Sequence, residues 1–184
     1  MNSEIGFLNR ESAGLLVIDV QERLMPVISN KEEVFSNVNK LLKGAEILGL
    51  EAIVTEQYPK GLGSTCAEVE IPSHAGVIEK VCFSCLQSEE VNAQLKLSNR
   101  KSLIVCGVEA HICVLKTVLD ALAEGYEVHV VADAVGSRAN TNKSLALERM
   151  RQSGAFICST EMALFMLLNE AGTEEFKAIS KLIK

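Results

Sequence analysis

The sequence predicts an α/β fold in which a parallel sheet is covered by helices on both faces. Two observations support this prediction. Short apolar runs alternate along the chain with longer segments of helical periodicity, which is the pattern of a parallel sheet with crossover helices. Residues that cap helices, and glycines that end them, fall at the boundaries of the longer segments.

Six apolar runs predict the strands. The first of them, AGLLVID from Ala13 to Asp19, is typical of a buried strand. The predicted strands cover residues 13–19, 52–56, 76–80, 102–106, 127–132 and 155–158.

Capping residues predict the helices. Ser29 or Asn30 is placed to cap the first helix, which Gly49 ends. Glu32 or Glu33 lies in position to complete a capping box. Further helices are predicted over residues 88–99, 112–124 and 141–153, after the cap Ser159, and in an amphipathic segment at the end of the chain.

Residues 57–75 interrupt this alternation, because they contain glycines and prolines but no strong period. A loop of that length inside a compact domain is usually a lid or a binding loop. The sequence shows no internal repeat, low-complexity tract or linker-like stretch, and residues 1–184 are therefore predicted to form one domain.

The composition argues against several classes of protein. The 184 residues are 48% hydrophobic and 23% charged, which describes a globular domain rather than a disordered chain. A net charge of −6 without a basic stripe argues against a nucleic-acid partner. No run approaches the roughly 20 apolar residues that span a bilayer, and Met1 to Gly6 do not begin a secretory signal. The six cysteines then fit a reducing compartment, and the predicted location is the cytoplasm.

Three reactive side chains lie at or just beyond strand ends. In open α/β sheets, ligands bind beyond the carboxyl ends of the strands, where the strand order reverses. Asp19 ends the first predicted strand, Lys80 ends the third, and Cys113 follows the turn after the fourth. These positions predict a reaction site. Cys113 also lies in the first turn of a predicted helix, which together with a nearby lysine would favour its thiolate.

Each of these residues also has a purely structural interpretation. Asp19 could cap the following helix, and Lys80 could be a solvated charge at a strand end. Cys113 could be an inert core thiol, as we expect for Cys106 and Cys158. All three structural interpretations must hold together for the site to be absent.

Four segments of the sequence stand out, namely LVIDVQ (16–21), EK (79–80) followed by FS (83–84), GVEAHICV (107–114) and VADAVGSR (131–138). Together they resemble the signature blocks of the isochorismatase-like cysteine hydrolases, outside their nicotinamidase branch. Their order and spacing match as well, and the resemblance extends from about residue 12 to about residue 172.

The resemblance implies a Rossmann-like three-layer α/β/α sandwich around a six-stranded, mostly parallel sheet in the order 3-2-1-4-5-6. It also implies a catalytic triad of Asp19, Lys80 and Cys113 that uses no cofactor. By analogy, Cys113 attacks a carbonyl or imine carbon, Asp19 takes the thiol proton and later activates water, and Lys80 orients groups and balances charge. In relatives a cis peptide precedes the nucleophile, and here it falls on Val108–Glu109, whose turn would supply N–H groups to an oxyanion hole.

The resemblance also suggests what surrounds the triad. The family commonly forms homo-oligomers, and the apolar face of the last predicted helix and the 57–75 loop favour self-association here. The expected partner is a small-molecule substrate. Further residues expected at the pocket are Gln21 in a supporting role, Tyr58 and Phe83 as apolar walls or core filler, and His111 at the pocket or an interface.

The sequence departs from nicotinamidases, which carry an Asp-x-His metal motif after the second strand. Residues 55–59 are TEQYP, with Tyr58 roughly at the histidine position, and so we expect no metal. The retained cysteine favours hydrolysis of a C–N bond in a small amide, imide or related substrate through a thioester-type intermediate. Two alternatives remain, a nicotinamidase-like amidase with an altered metal site and a non-catalytic binding or scaffold protein. Cys82 and Cys85 also have the CxxC spacing of a redox site.

Overall fold

A computed structural model of the chain describes residues 5–184. Residues 1–4 lie outside the described residues, and with them lies part of the segment on which the prediction of no secretory signal depends. Within the described range, the sheet has six strands, each parallel to its neighbours, in the order β3-β2-β1-β4-β5-β6. The strands are β1 (Ala13–Ile18), β2 (Glu51–Gln57), β3 (Gly76–Lys80), β4 (Ser102–Val108), β5 (Glu127–Gly136) and β6 (Phe156–Cys158). The predicted strand number and order are confirmed.

Helices cover both faces of this sheet. They are α1 (Lys31–Leu48), α2 (Pro59–Leu62), α3 (Glu89–Leu97), α4 (Leu115–Ala123), α5 (Asn140–Gln152), α6 (Thr160–Met166) and α7 (Glu174–Ile183). Apolar residues of α1, α6 and α7 pack into the core on one face, and those of α3, α4 and α5 pack into the core on the other. The predicted three-layer sandwich is therefore confirmed.

Strand β1 shows why the apolar runs form the centre of the sheet. Successive side chains of a strand point to opposite faces, and every residue of β1 is buried. Leu15 and Val17 enter one core, whereas Leu16 and Ile18 enter the other. A strand buried on both faces must be apolar throughout, and the first polar residue, Asp19, follows its end.

Several predicted boundaries are corrected. Strand β5 continues to Gly136, four residues beyond its predicted end, because its pairing with β4 resumes after a register shift between Val105 and Gly107. Asp133, which interrupts the apolar pattern, is accommodated because its carboxylate accepts hydrogen bonds from the backbone N–H and the hydroxyl of Thr160. The predicted loop over residues 57–75 contains the short helix α2.

Two predictions about helices are wrong. Asn30 occupies the N-cap of α1, but its side chain does not cap the helix; it donates instead to Glu33 Oε2 at 3.0 Å and to the Val135 carbonyl at 3.3 Å. The apolar face of α7 is not available for self-association. Ile179 is fully buried and, with Leu182, packs into the core beside α1.

Gly107 lets β4 approach the end of β1. It pairs with Ile18 in the sheet and has a φ of +109°. A Cβ atom at this position would lie 2.1 Å from the Ile18 carbonyl oxygen, so that only glycine fits without moving the backbone. The close contact brings the turn after β4 next to Asp19.

We predict that Gly107→Ala lowers the free energy of unfolding by about 3 kcal/mol or more, because it adds a steric clash to backbone strain. Gly125→Ala is the matched control, since Gly125 has a φ of +86° but no atom within 4 Å of the place that a Cβ would take. Its expected loss is about 1 kcal/mol from strain alone. Urea unfolding measures both, and equal losses would show that the approach of β4 to β1 does not require glycine.

Candidate active site

Asp19 lies directly after β1 in a left-handed backbone conformation, with a φ of 54°. Its backbone N–H donates to the Thr55 carbonyl at 3.1 Å, which ties it to β2. The side chain is fully buried, and its Oδ1 accepts a hydrogen bond from the Thr55 hydroxyl at 2.8 Å. A left-handed conformation at a non-glycine residue costs free energy, and such residues cluster at functional sites.

Lys80, the last residue of β3, reaches across β2 to Asp19. Its Nζ lies 2.7 Å from Asp19 Oδ2, and both side chains are 0% exposed. This contact brings together two of the three residues that the sequence predicts for the site. The interpretation of Lys80 as a solvated charge at a strand end is wrong, because its ammonium is enclosed by protein oxygen atoms.

Cys113 lies in a turn of π-helix, Ala110–Val114, that leads into α4. The sequence predicts an ordinary first turn of a helix, whereas here the N–H of Val114 reaches the carbonyl of Glu109, five residues back. The residue is 5% exposed, and the charges of both Asp19 and Lys80 influence the pKa of its thiol. Asp19 and Lys80 are thus in direct contact, and Cys113 lies near enough for both charges to act on it.

Burial and the contact between Asp19 and Lys80 together determine the pKa shifts of this site. It raises the pKa of the Asp19 carboxyl, although the Lys80 ammonium and the Thr55 hydroxyl favour the charged form. Burial lowers the pKa of Lys80, but the negative charge of Asp19 leads the effects that raise it, and the net direction is upwards. Burial, followed by the charge of Asp19, raises the pKa of the Cys113 thiol. The expected lowering of the Cys113 pKa is therefore wrong, because burial and the charge of Asp19 both disfavour the thiolate.

The turn between β4 and Cys113 is fixed by an ion pair. The Val108–Glu109 peptide is cis, as the family resemblance implies. The buried Glu109 carboxylate accepts hydrogen bonds from the Arg138 guanidinium at 2.9 and 3.2 Å and from the Arg138 backbone N–H at 3.1 Å. Arg138 follows β5, so this bidentate pair connects the ends of two neighbouring strands.

Two buried residues of β2 were missed by the sequence analysis. Thr55 binds Asp19, and Gln57 accepts a hydrogen bond from Lys80 Nζ at 2.8 Å. They are two residues apart and therefore point to the same side of the strand. The signal in the sequence is a pair of polar residues that alternate at the end of a buried strand.

The four residues expected at the pocket lie in different surroundings. Gln21 is buried and donates to the carbonyls of Gln57 and Gly63 at 3.0 and 2.7 Å, which supports the predicted supporting role. His111 Nδ1 lies 3.0 Å from Ser137 Oγ, on the β5 side of the turn. Phe83 is half-exposed, with its ring 5.9 Å from the Lys116 ammonium.

A cavity of about 530 Å³ opens beside the end of β3. Tyr58 lines it, and of the three predicted catalytic residues only Lys80 does. Its other lining residues are Pro59, Lys60, Glu79, Val81, Cys82, Gln87, Ser88 and Glu89. The start of the 57–75 loop therefore forms part of the wall of this cavity.

The residues at the nicotinamidase metal position do not fit a metal. The carboxylate of Glu56 accepts hydrogen bonds from the N–H and hydroxyl of Thr65, and Tyr58 is 53% exposed. Across residues 5–184, no three His, Cys, Asp or Glu side chains are grouped so that they could hold a metal ion.

The six cysteines are free thiols, and Cys82 and Cys85 form no disulfide here. Between residues 5 and 184, no helix has both the length and the apolarity to cross a membrane.

Comparisons with known proteins agree with this fold. The chain is 45% identical to the secreted isochorismatase effector Isc1 of Phytophthora sojae, over 98% of this chain and 88% of that protein. It is 42% identical to isochorismatase domain-containing protein 2 of Danio rerio, over 97% and 90% of the two chains. Because one relative is described as secreted, the cytoplasmic location stays a prediction.

A solved structure described as the MAR1 ribonuclease from Caenorhabditis elegans superposes with a TM-score of 0.90 at 35% identity, covering 96% of this chain and 91% of that chain. The family model described as the isochorismatase domain matches residues 13–162, which include Asp19, Lys80 and Cys113. The chain therefore belongs to the isochorismatase family.

Proposed function

We propose that the protein is a cysteine-dependent hydrolase that cleaves a C–N bond of a small amide, imide or related substrate through a thioester on Cys113. The family assignment supports a hydrolase. The observation that carries the finer proposal is the buried Asp19–Lys80 ion pair beside a thiol. Removing a pair of charges from water costs free energy, and a carboxylate near a thiol can act as the base that activates the sulfur as a nucleophile.

The first half-reaction forms the thioester. The Cys113 sulfur attacks the substrate carbonyl carbon while its proton passes to the Asp19 carboxylate, and the carbonyl electrons move onto oxygen. When the tetrahedral intermediate collapses, the C–N bond breaks, and the proton held by Asp19 is transferred to the leaving nitrogen. Lys80 keeps its proton throughout and balances the negative charge.

The second half-reaction releases the acid. Asp19 takes a proton from a water molecule, whose oxygen attacks the thioester carbon, and collapse of this intermediate breaks the C–S bond. The sulfur recovers its proton from Asp19, and the product leaves as a carboxylic acid. One carboxylate thus serves both half-reactions, and its raised pKa brings it closer to the neutral range in which a general base works best.

We further propose that backbone N–H groups of the turn that follows the Val108–Glu109 peptide stabilise the oxyanion. Donors that are already oriented in a site without water contribute most to such stabilisation. The bidentate contact between Glu109 and Arg138 keeps this turn in place before substrate arrives.

The other proposed properties follow from the predictions above. We propose one domain, a cytoplasmic location, a small-molecule substrate and self-association as a homo-oligomer. The exposed side chains of Tyr58, Val81 and Phe83 near the end of β3 support self-association, because exposed apolar patches often mark interaction surfaces.

We predict that Cys113→Ala reduces hydrolysis of the best amide substrate by 10³-fold or more, on the order seen when a nucleophile is removed from a catalytic triad. A panel of small amides and imides, with the hydrolysis products detected by mass spectrometry, identifies that substrate. RNA is tested separately, with strand cleavage as the readout, because a solved relative is called a ribonuclease.

The matched control for this substitution is Cys158→Ala, which removes a buried thiol at the end of β6 and should leave the rate within a few-fold of wild type. If Cys113→Ala retains activity, the nucleophile is wrong. If the wild type converts no amide or imide and does not cleave RNA, the binding or scaffold alternative is favoured.

We predict that the pH profile of kcat/KM has an acid limb set by Asp19. The raised pKa of Asp19 means that its base form is lost at a higher pH than for an ordinary carboxyl, near 3.9. Activity should therefore fall as pH decreases through that raised value. Because the thiol proton passes to Asp19, no rise should occur near pH 8.5, where a free thiol ionises. A rate that keeps rising through that range would indicate a thiolate mechanism.

We predict that protein purified without chelator carries well under one equivalent of zinc or iron. The Glu56 carboxylate already accepts a hydrogen bond from Thr65, and residues 55–59 contain no histidine that could bind a metal with it. Elemental analysis measures the content. A full equivalent of either metal would favour the nicotinamidase-like alternative.

A further inference from the structure

The Lys80 ammonium is surrounded by more acceptors than it has protons. Its Nζ lies 2.7 Å from Asp19 Oδ2, 2.8 Å from Gln57 Oε1, 3.3 Å from the Cys82 carbonyl and 3.4 Å from the Phe83 carbonyl. An ammonium has three N–H groups, and so every proton is already used within the protein. The two short contacts are those to Asp19 and Gln57.

The side chain of Gln57 can present only its oxygen to Lys80. Its amide nitrogen donates to the Val81 carbonyl at 2.7 Å, and reversing the amide would set a donor against the ammonium and an acceptor against a carbonyl. Its backbone is held as well, because its N–H donates to Gln21 Oε1 and its carbonyl accepts from Gln21 Nε2. Gln57 is 7% exposed, so water does not compete for these contacts.

We propose, on the basis of the hydrolase function above, that Gln57 is the positioning residue that holds the Lys80 ammonium against Asp19. Lys80 then serves as a fixed counter-charge and not as a hydrogen-bond donor to the substrate. Two consequences follow. The oxyanion must be stabilised by backbone N–H groups, and the affinity of the Asp19–Cys113 pair for protons depends on Gln57, which touches neither residue.

The test uses alkylation of Cys113 by iodoacetamide, which requires no substrate. The rate of labelling at Cys113 is measured by peptide mass spectrometry from mildly acidic to alkaline pH, in the full-length wild type and in Gln57→Met. Methionine has similar length but accepts no strong hydrogen bond. With methionine at position 57, the Lys80 ammonium loses one of its two short hydrogen bonds and is held less firmly near Cys113. Its positive charge then stabilises the thiolate less, and the pH midpoint of alkylation should rise by about half a unit or more.

Gln94→Met is the matched control. Gln94 lies on α3 and is half-buried, whereas Gln57 is buried. The Gln94 amide donates at 3.3 Å to Glu51, which begins β2 at the end away from the site. It should leave the alkylation midpoint unchanged even if it lowers the melting temperature. A double-mutant cycle shows whether Gln57 acts through Lys80, because Gln57→Met should add no further shift to that of Lys80→Met.

A Gln57→Met midpoint equal to that of wild type, or a shift that adds in full to that of Lys80→Met, would overturn the proposal. If Lys80→Met does not fold, the comparison of Gln57→Met with Gln94→Met decides. If Gln57→Met does not fold, Gln57→Glu replaces it, and its added negative charge against the ammonium should also raise the midpoint. A shift in a protein that hydrolyses no amide would support the positioning role of Gln57 and count against the hydrolase.

Discussion

The buried ion pair between Asp19 and Lys80 is the constraint on which the site depends. Both charges lie out of contact with water, where an unpaired charge would be strongly unfavourable. The pair can persist only if each member has further hydrogen-bond partners, and the end of β2 provides them in Thr55 and Gln57. The polar residues at the carboxyl edge of this sheet therefore form one connected network around two charges.

The strand order explains why these residues meet. Because β1 lies between β2 and β4, Asp19 can contact β2 on one side and the turn that carries Cys113 on the other. Gly107 permits the close approach of β4, and the Glu109–Arg138 pair ties the following turn to the end of β5. The site thus draws on the ends of five adjacent strands, which is where open α/β sheets bind ligands.

Much of this arrangement was predictable from sequence. Continuous apolar runs identified the six strands, and the family resemblance supplied their order and the triad. The thiolate was mispredicted because burial raises the pKa of the Cys113 thiol, and because Asp19 balances the charge of the lysine that was expected to lower it. The partners of the ion pair were missed because the role of Gln57 depends on the register between β2 and β3, which pairs Gln57 with Lys80, and neither the strand order nor local sequence contains that information. Similarly, β5 was ended too early because Asp133 finds its partner in α6, far along the chain.

The most direct test of this account is an unfolding cycle in urea with Asp19→Asn, Lys80→Met and the double variant. Removing one partner leaves the other charge buried and unpaired, which should lower the free energy of unfolding by about 3–5 kcal/mol in each single variant. The double variant buries no unpaired charge, and the account predicts that its loss does not exceed the larger single loss. Losses that simply add would contradict the account, because they would mean that the two residues contribute independently.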